Sequence, residues 1–580
     1  MRLARFFLFF FPVILIGESN PPPVPPAGIV ERQIEQEYEV QKIDPEKQVP
    51  LLEIDIPEKK LDLGRGSLHL KKVVFEGNDV FSSKVLERKA KDYVGRDITM
   101  QDVQEICAKV QRKYNRRGYF LTRVYPPAQV IKDGVLKLTV IEGHLGDIIV
   151  TGNEHYSEKF IRRYLKRFQG KAIQYDHILK ALFLLDENRD LEVGAVLKKG
   201  KTFGTADLIV RVQDKAPIHL VLDHNNYGSD HTPTQRTGAR FDAGNIFTYG
   251  DMLTVIEVVG SPVTGLNFTD IIYHVPVNAY GGSLDLSYLL AQFKTDRIDD
   301  VRFKGISHIA TAKFDQALQR TRRLSTDFFA SFDYKQIQNF TSDVRTSFDK
   351  LRVLTGGMKL DYVDSLRGRN LITALVAGGL PDILGGSDAT DPESSREGSG
   401  GQFFRFNATA KRLQKLPYDC FLLLNGVGQY AFEKLPLPEQ IYIGGIDTVR
   451  GYPLAVGLGD YGFYATAELH VPPPFLRDHK IGWMKKRWGD FLQFVGFLDH
   501  GQTFVFGHEL IREGTKTPSG KIKESDAEHP GRVILTSAGA GVRLYGPWNL
   551  EASFDVGFPL TKRHKTSNSI VYFRVAWNVL

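Results

Sequence analysis

From about residue 218 to Leu580 the chain alternates apolar and polar residues in one segment after another. Leu284, Leu286, Tyr288 and Leu290 alternate with Ser283, Asp285, Ser287 and Leu289. Phe463, Ala465, Ala467, Leu469 and Val471 alternate with Tyr464, Thr466, Glu468 and His470, and Leu550 to Phe558 repeats the pattern with Glu551, Ser553, Asp555 and Gly557 between. A period of two assigns one set of residues to each face of a strand. The run of about 20 apolar residues that a membrane helix requires is absent, and the longest lipid-like run, Phe6 to Ile16, is too short to span. Aromatics nevertheless make up 11% of the 580 residues, while mean hydropathy is only −0.22. This combination suits a transmembrane antiparallel β-barrel, whose strands give every second residue to lipid. Composition leaves one alternative open, a large soluble β-rich protein. Residues 217–580 hold about 16 strands at roughly 10 residues each plus turns and longer outer loops. A barrel of that size leaves a lumen wide enough for an aqueous channel.

Ahead of this region lies a tandem repeat. The first unit opens Val73-Val74-Phe75-Glu76-Gly77-Asn78 and reaches Phe81-Ser82; the second opens Ile148-Ile149-Val150-Thr151-Gly152-Asn153 and reaches Tyr156-Ser157. Gly95 before Ile98-Thr99 and Gly170 before Ile173-Gln174 stand at the same offset, and agreement at two anchors marks a duplicated module. Each unit reads as strand, turn, helix, helix, strand, strand. In the first, Val103, Ile106 and Val110 share one helix face, Gly118-Tyr119 follows, and Thr122–Tyr125 and Val135–Ile141 close the unit. An open sheet edge in such a module offers unpaired N–H and C=O groups to an incoming extended chain.

The N-terminus has the form of an export signal over residues 1–19: Arg2 and Arg5, the apolar core Phe6 to Ile16, then Gly17 and Ser19. Residues 20–67 read as a Pro-rich spacer, a helix over Gly28 to Lys42 with Val30, Ile34 and Tyr38 on one face, and a charged linker. A tethered helix of this kind is a candidate plug for a wide pore.

Near the C-terminus, Gly444-Gly445-Ile446-Asp447-Thr448-Val449-Arg450-Gly451-Tyr452 sets one Arg in a Gly-rich loop, and Phe497-Leu498-Asp499-His500-Gly501 sets one Asp in a strand-like segment. Inside a polar lumen such an Arg and Asp form a charge-assisted pair that holds a loop in the pore. Together, after two tandem modules, these strings resemble the POTRA-bearing outer-membrane barrel superfamily (BamA/TpsB). Within it the chain most resembles the two-partner secretion transporters, the TpsB exporters of haemolysin and filamentous haemagglutinin. Two POTRA units, Pro127-Ala128-Gln129 after Gly118-Tyr119, and the run from Asp223 through Thr237-Gly238 and Asn245 to Gly250-Asp251 carry that likeness. The final alternation, Val571 to Val579, is similar to the barrel-assembly signal, although it ends on Leu580 rather than an aromatic.

The resemblance implies two periplasmic α+β POTRA domains (68–144 and 145–216) and a barrel (217–580) with an inward loop around 436–461. It implies a mechanism as well: an unfolded TpsA-like exoprotein docks on the POTRA units, crosses the barrel without ATP and folds outside. Val449, Arg450, Gly451, Tyr452, Phe497, Asp499 and Gly501 would form the transport motif, with Gly444 and Gly445 allowing tight turns. Gly77, Asn78, Gly118, Tyr119, Pro127, Gln129, Gly152 and Asn153 would mark the POTRA units. Outer-membrane lipid and the barrel-assembly machinery complete the partners, and a monomer is expected. An assembly factor for other barrels shares the Arg and Asp motifs and is the main alternative; a passive porin gives no reason for POTRA units.

Enzyme chemistry is not expected. His508-Glu509-Leu510-Ile511-Arg512 lacks the second His of a zinc-protease motif, and Gly514 to Lys521 has the wrong spacing for a phosphate loop. No cofactor or metal is implied. Cys107 and Cys420 fall in different regions, which argues against a disulfide framework. The charge balance, 75 Lys and Arg against 68 Asp and Glu, is spread along the chain and contains no nucleic-acid arm.

Overall fold

The computed structural model describes residues 25–39, 50–55, 67–131, 133–229, 232–295, 301–484, 486–506, 531–561 and 568–579. The export-signal stretch and the strings His508 to Arg512 and Gly514 to Lys521 lie outside the described residues.

A helix α1 (Ala27–Glu39) and a short strand β1 (Leu52–Asp55) come first. The first module contains β2 (Ser67–Leu70), β3 (Lys72–Glu76), α2 (Ser83–Ala90), β4 (Arg96–Thr99), α3 (Met100–Asn115), β5 (Arg123–Tyr125) and β6 (Val135–Ile141). Helix α3 starts at a capping box in which Thr99 and Asp102 satisfy each other's free backbone donors. Val103, Ile106 and Val110 then recur on one face and are buried with Tyr114 against the sheet β3-β6-β5. The second module contains β7 (His144–Thr151), α4 (Glu158–Leu165), α5 (Tyr175–Asp186), β8 (Leu191–Lys199) and β9 (Thr205–Asp214), with its own buried core.

The second module covers one edge of its sheet and leaves the other, β7, open among the described residues. Its sheet runs β1-β8-β9-β7, so the chain's own segment Leu52–Asp55 lies parallel along β8 and covers that edge. The stretch had read as linker because four residues inside a charged, Pro-containing run carry no period. Strand pairing here is supplied by the waiting edge of β8 and not by the pattern of β1.

Sixteen antiparallel strands then close into one barrel. They are β10 (Ile218–Asn225), β11 (Gln235–Gly244), β12 (Met252–Ser261), β13 (Leu266–Pro276), β14 (Gly282–Lys294), β15 (Phe303–Arg320), β16 (Leu324–Thr341), β17 (Val344–Val363), β18 (Arg369–Gly379), β19 (Phe403–Lys415) and β20 (Phe421–Ala431). After an inward loop carrying the hairpin β21 (Ile441–Ile443) and β22 (Gly457–Gly459) comes β23 (Tyr461–Val471). A two-residue pair follows, β24 (Lys480–Ile481) with β25 (Lys486–Arg487), then β26 (Leu492–Phe504), β27 (Arg532–Tyr545), β28 (Leu550–Pro559) and β29 (Ile570–Asn578). Closure is made by β10 against β29, with Leu222 opposite Trp577.

The alternation sorts side chains as a barrel in lipid requires. Leu286, Tyr288, Leu469, Phe494, Leu498, Phe554 and Trp577 are exposed on the outer wall, while Glu468, Asp499 and Asp555 face inward and are screened. Strands β15, β16 and β17 are 18, 18 and 20 residues long, well beyond the length of about 10 expected from bilayer thickness. Near their short-turn ends Lys359 of β17 reaches across β16 to Asp315 of β15 at 3.0 Å.

Candidate functional site

The loop between β20 and β23 turns into the lumen. Its hairpin β21–β22 carries Gly444 and Gly445 at φ values of 104° and 101°, outside the range comfortable for a side chain. That reversal aims residues 446–452 at the wall, and Arg450 arrives opposite Asp499 on β26.

Arg450 is 3% exposed and its donors are aimed at carboxylates. Nε donates to one oxygen of Asp499 at 2.7 Å and Nη2 to the other at 2.7 Å, a bidentate fork. The Arg450 backbone N–H adds a third bond to Asp499 at 3.1 Å. Nη1 donates to Glu468 on β23 at 2.6 Å, and His470 sits 3.0 Å from the other oxygen of Glu468. The guanidinium carbon stands 3.5 Å over the ring of Phe497, a cation–π contact in a screened site.

The remaining motif residues clear space or fasten the tip. A Cβ on Gly501 would lie 3.0 Å from Val449, and one on Gly451, at φ 83°, would lie 2.9 Å from the backbone of Gly557. Gly451 N–H donates to the Tyr572 hydroxyl, and the Tyr452 hydroxyl donates to the carbonyl of Thr536 at 2.8 Å while accepting from Thr561 N–H. Val449 and Tyr452 are fully buried with Ile443, Tyr464 and Leu535. Glu468 and His470 were visible in the sequence only as polar members of an alternation. Their part becomes apparent once β23 is laid beside β26, with Glu468 opposite Phe497. A cavity of about 780 Å³ adjoins the tip, lined by Asp447, Arg450, Glu468, His470, Arg543 and Arg574 among others. Both signs of charge line it.

Helix α1 occupies another part of the lumen. Ala27, Val30 and Ile34 pack on Ile256, Val258, Phe268, Leu289, Ala291, Phe293, Ile309 and Ile337 of the wall. Leu289 therefore faces inward and apolar, on the face that the alternation had assigned to water. Ile29, on another side of the helix, packs on Tyr442, Leu454 and Ala455 of the inward loop. Polar contacts run along its length: Arg32 to the Gln440 carbonyl at 2.5 Å, Gln33 to the Tyr227 carbonyl at 3.0 Å, Gln36 from the Tyr442 hydroxyl at 2.8 Å and Tyr38 to Asp223 at 2.5 Å. Nearer the helix N-terminus, Glu439 of the same loop is gripped by Lys335 at 2.8 Å and Arg405 at 2.9 Å.

In the tandem modules the Gly-Asn strings serve equivalent turns. Gly77 and Gly152 have φ values of 82° and 87°, and an added Cβ would meet the carbonyl of Val140 or Val212 at 2.5 and 2.3 Å. Asn78 and Asn153 bond the carbonyls of Phe81 and Tyr156, at 2.7 and 2.8 Å. Each turn is capped by a carboxylate from the closing region, Glu142 accepting from Val80 N–H and Asp214 accepting from the N–H groups of Glu154, His155 and Tyr156. Burial opposes ionisation of Asp214, but these three donors and His155 prevail and hold its carboxyl below the usual range. Gly118 accepts from Tyr175 N–H at the junction of the modules, and Tyr119 packs edge-on to Tyr114. Gln129 clamps Lys137 of β6 through both ends of its amide and reaches the Pro127 carbonyl. Cys107 is buried in α3, where burial pushes its thiol up to about 12, and Cys420 lies in a turn of the barrel; both are free thiols.

Comparison with known proteins agrees with this geometry. The profile for haemolysin secretion/activation protein ShlB/FhaC/HecB matches residues 204–486, and that for the ShlB-type POTRA domain matches 68–143. The chain belongs to the ShlB/FhaC/HecB family of haemolysin secretion/activation proteins. It is similar to the heme/hemopexin transporter protein HuxB of Haemophilus influenzae, 21% identical over 81% of this chain and 79% of that protein. The fold matches that of CdiB from Escherichia coli with a TM-score of 0.75 at 18% identity, covering 95% and 98% of the two chains. A shorter BamA chain from Haemophilus ducreyi matches with a TM-score of 0.52 at 13% identity, covering 88% and 100%. The protein is thus an outer-membrane β-barrel transporter of the two-partner secretion type, with its POTRA domains in the periplasm and a secreted exoprotein as partner.

Proposed function

We propose that the barrel conducts one unfolded exoprotein from periplasm to exterior without ATP, with the POTRA domains as the docking site and the Arg450–Asp499 lock as the fixed element of the pore. The observation that carries this reading is the doubly obstructed lumen. A permanent porin has no need of a helix that is tethered outside the barrel and packed within it. Helix α1 would withdraw when cargo docks, and the charged cavity beside the loop tip would form part of the route.

Docking would begin by strand addition on the second POTRA domain. Leu52–Asp55 lies on the β8 edge, and three of its four residues are exposed. An extended cargo segment of equal or greater length would satisfy the same N–H and C=O groups and displace it. The displaced strand leads directly back to α1, so cargo arrival and pore opening would share one segment of chain. Folding of the cargo outside would supply direction.

The fold likeness to BamA, at 13% identity, concerns architecture alone. The two readings separate in comparative proteomics of medium, cell surface and outer membrane with and without the gene. Loss of one large exoprotein from outside, with other barrels unchanged, is the expected result; a general fall in outer-membrane barrels would overturn it in favour of an assembly factor.

A further inference from the structure

Barrel strands are joined at the periplasmic end by turns of seven residues or fewer, with one exception. The segment between β23 and β26 spans residues 472–491 and carries the pair β24–β25 and a helical turn Trp488–Phe491. Periplasmic turns of outer-membrane barrels are normally short, so a segment of this length has a purpose other than reversing the chain.

Its surface is unusual for a water-facing loop. Phe475 is 92% exposed and Trp483 74%, with Leu476 beside them. The neighbouring turns carry Tyr418 and Trp548 at 77% and 79%. Side chains bind the three turns into one rim: Arg477 lies over the ring of Tyr418, and Lys486 donates to the carbonyls of Tyr545 and Gly546 at 3.2 and 2.9 Å. The rim continues into the lipid-facing wall through Leu469 and Phe494 at the feet of β23 and β26, and Trp577 of the wall donates to the Trp548 carbonyl at 3.1 Å. The same 20 residues hold five Lys and Arg against two Asp. Lys480 and Arg487 are exposed beside the aromatic side chains; Arg487 donates through Nε and Nη2 to Asp490 at 2.9 and 2.8 Å, whereas Lys480, its cross-strand neighbour, presents its ammonium to solvent. Exposed aromatics with cations at the foot of a lipid-facing wall match the chemistry of a membrane interface.

We infer that residues 472–491 form an anchor on the periplasmic leaflet that binds anionic phospholipid. Phe475, Leu476 and Trp483 enter the interfacial layer, Lys480 takes the headgroup phosphate, and Arg487, forked onto Asp490, adds to the local positive field. The anchor fixes the periplasmic ends of β23 and β26, the strands that carry Glu468 and Asp499.

The test uses the full-length protein with Trp488→Phe, Trp548→Phe and Trp577→Phe, leaving Trp483 as the sole indole. It is reconstituted in phosphatidylethanolamine bilayers containing phosphatidylglycerol, with bromine near the headgroup end of the acyl chains of one lipid or the other. The inference expects Trp483 fluorescence to be quenched by both lipids, with a several-fold excess for brominated phosphatidylglycerol at equal mole fraction. Lys480→Glu with Arg487→Glu should remove that excess and retain the quenching by phosphatidylethanolamine. Water-like, unquenched emission would overturn the anchor and leave the segment free to meet a polypeptide. Equal quenching by the two lipids, or an excess that survives the charge reversal, would overturn the anionic headgroup site.

Discussion

Two bodies fill the lumen, and they are held by different physics. The tip of the inward loop is fastened at a few points of high directionality: a bidentate ion pair, a second carboxylate, an aromatic ring under the guanidinium, and glycines that let backbones touch. Helix α1 is held by an apolar stripe and by weaker polar contacts spread over its length: single hydrogen bonds, one long ion pair from Arg236 to Glu37 at 3.5 Å, and Arg32 5.6 Å over the Tyr442 ring, with no bidentate fork among the described residues. Directional contacts fail together when geometry is disturbed, whereas an apolar stripe can be traded for another apolar or wet surface in small steps. On the proposed withdrawal of α1, the comparison divides the pore into a fixed part and a removable part.

Breaking the fixed part should have the largest effect. Arg450→Ala leaves Asp499 and Glu468 buried without their cation, and loss of one partner of a buried pair costs about 3–5 kcal/mol. Cargo export should fall to background, and the folded barrel should lose its heat-resistant mobility on gels at lower temperature. Arg450→Lys keeps the charge without the fork and should fall between, which would show that geometry matters beyond charge.

On the removable part, Ile34→Ala should cost about 2–4 kcal/mol of helix docking, as for a large-to-small change in an apolar contact. Channel conductance in planar bilayers should rise while the heat resistance of the barrel stays near that of the parent protein. An equal loss of barrel stability would erase the distinction. Gly451→Ala places a side chain at φ 83° against the Gly557 backbone and should cost about 1–3 kcal/mol, read as a smaller fall in export than Arg450→Ala gives.

The smallest effect lies outside the lumen and sets its scale. Asp214→Asn weakens the cap on the second POTRA turn by about 1–2 kcal/mol, seen as faster hydrogen exchange at residues 154–156. Because the Asp214 carboxyl is held below its ordinary value, its contribution is complete above the unfolded-state value of about 3.9 and fades as pH falls through the lowered folded value. Protection at these amides should follow that direction in the parent and be flat in the variant.

Where the chemistry is local in sequence, it was readable from sequence. The period of two yields barrel strands because lipid and lumen impose it on every residue, and the tandem repeat, Asn78 to Asn153, exposes the modules because each repeats the same turn chemistry. Gly501 also makes sense as part of a string, since it clears space for Val449 of the partner string, whereas the neighbour of Gly451 is Gly557 on β28, which neither string names. Glu468 could not be distinguished from other inward polar residues until β23 and β26 were set side by side. The apolar lumen at Leu289 and Phe293 contradicts the simple rule of polar inside, because α1 covers that wall. Strand β1 was hidden because it borrows its conformation from the edge of β8.

The division into fixed and removable parts is tested most directly by two tethers in a Cys107→Ser, Cys420→Ser background. Val449→Cys with Gly501→Cys joins the loop tip to β26, and Ala27→Cys with Gly305→Cys joins α1 to β15, each pair bringing side chains within reach of a disulfide. Export of the cargo is followed with the tethers oxidised and then reduced. The account predicts that oxidising the tip tether leaves export at the level of the same variant reduced, a level that the substitutions at Val449 and Gly501 themselves lower, while oxidising the helix tether stops export until reductant is added. Export through a barrel with α1 tethered, or a further loss of export on oxidising the tip tether, would contradict it.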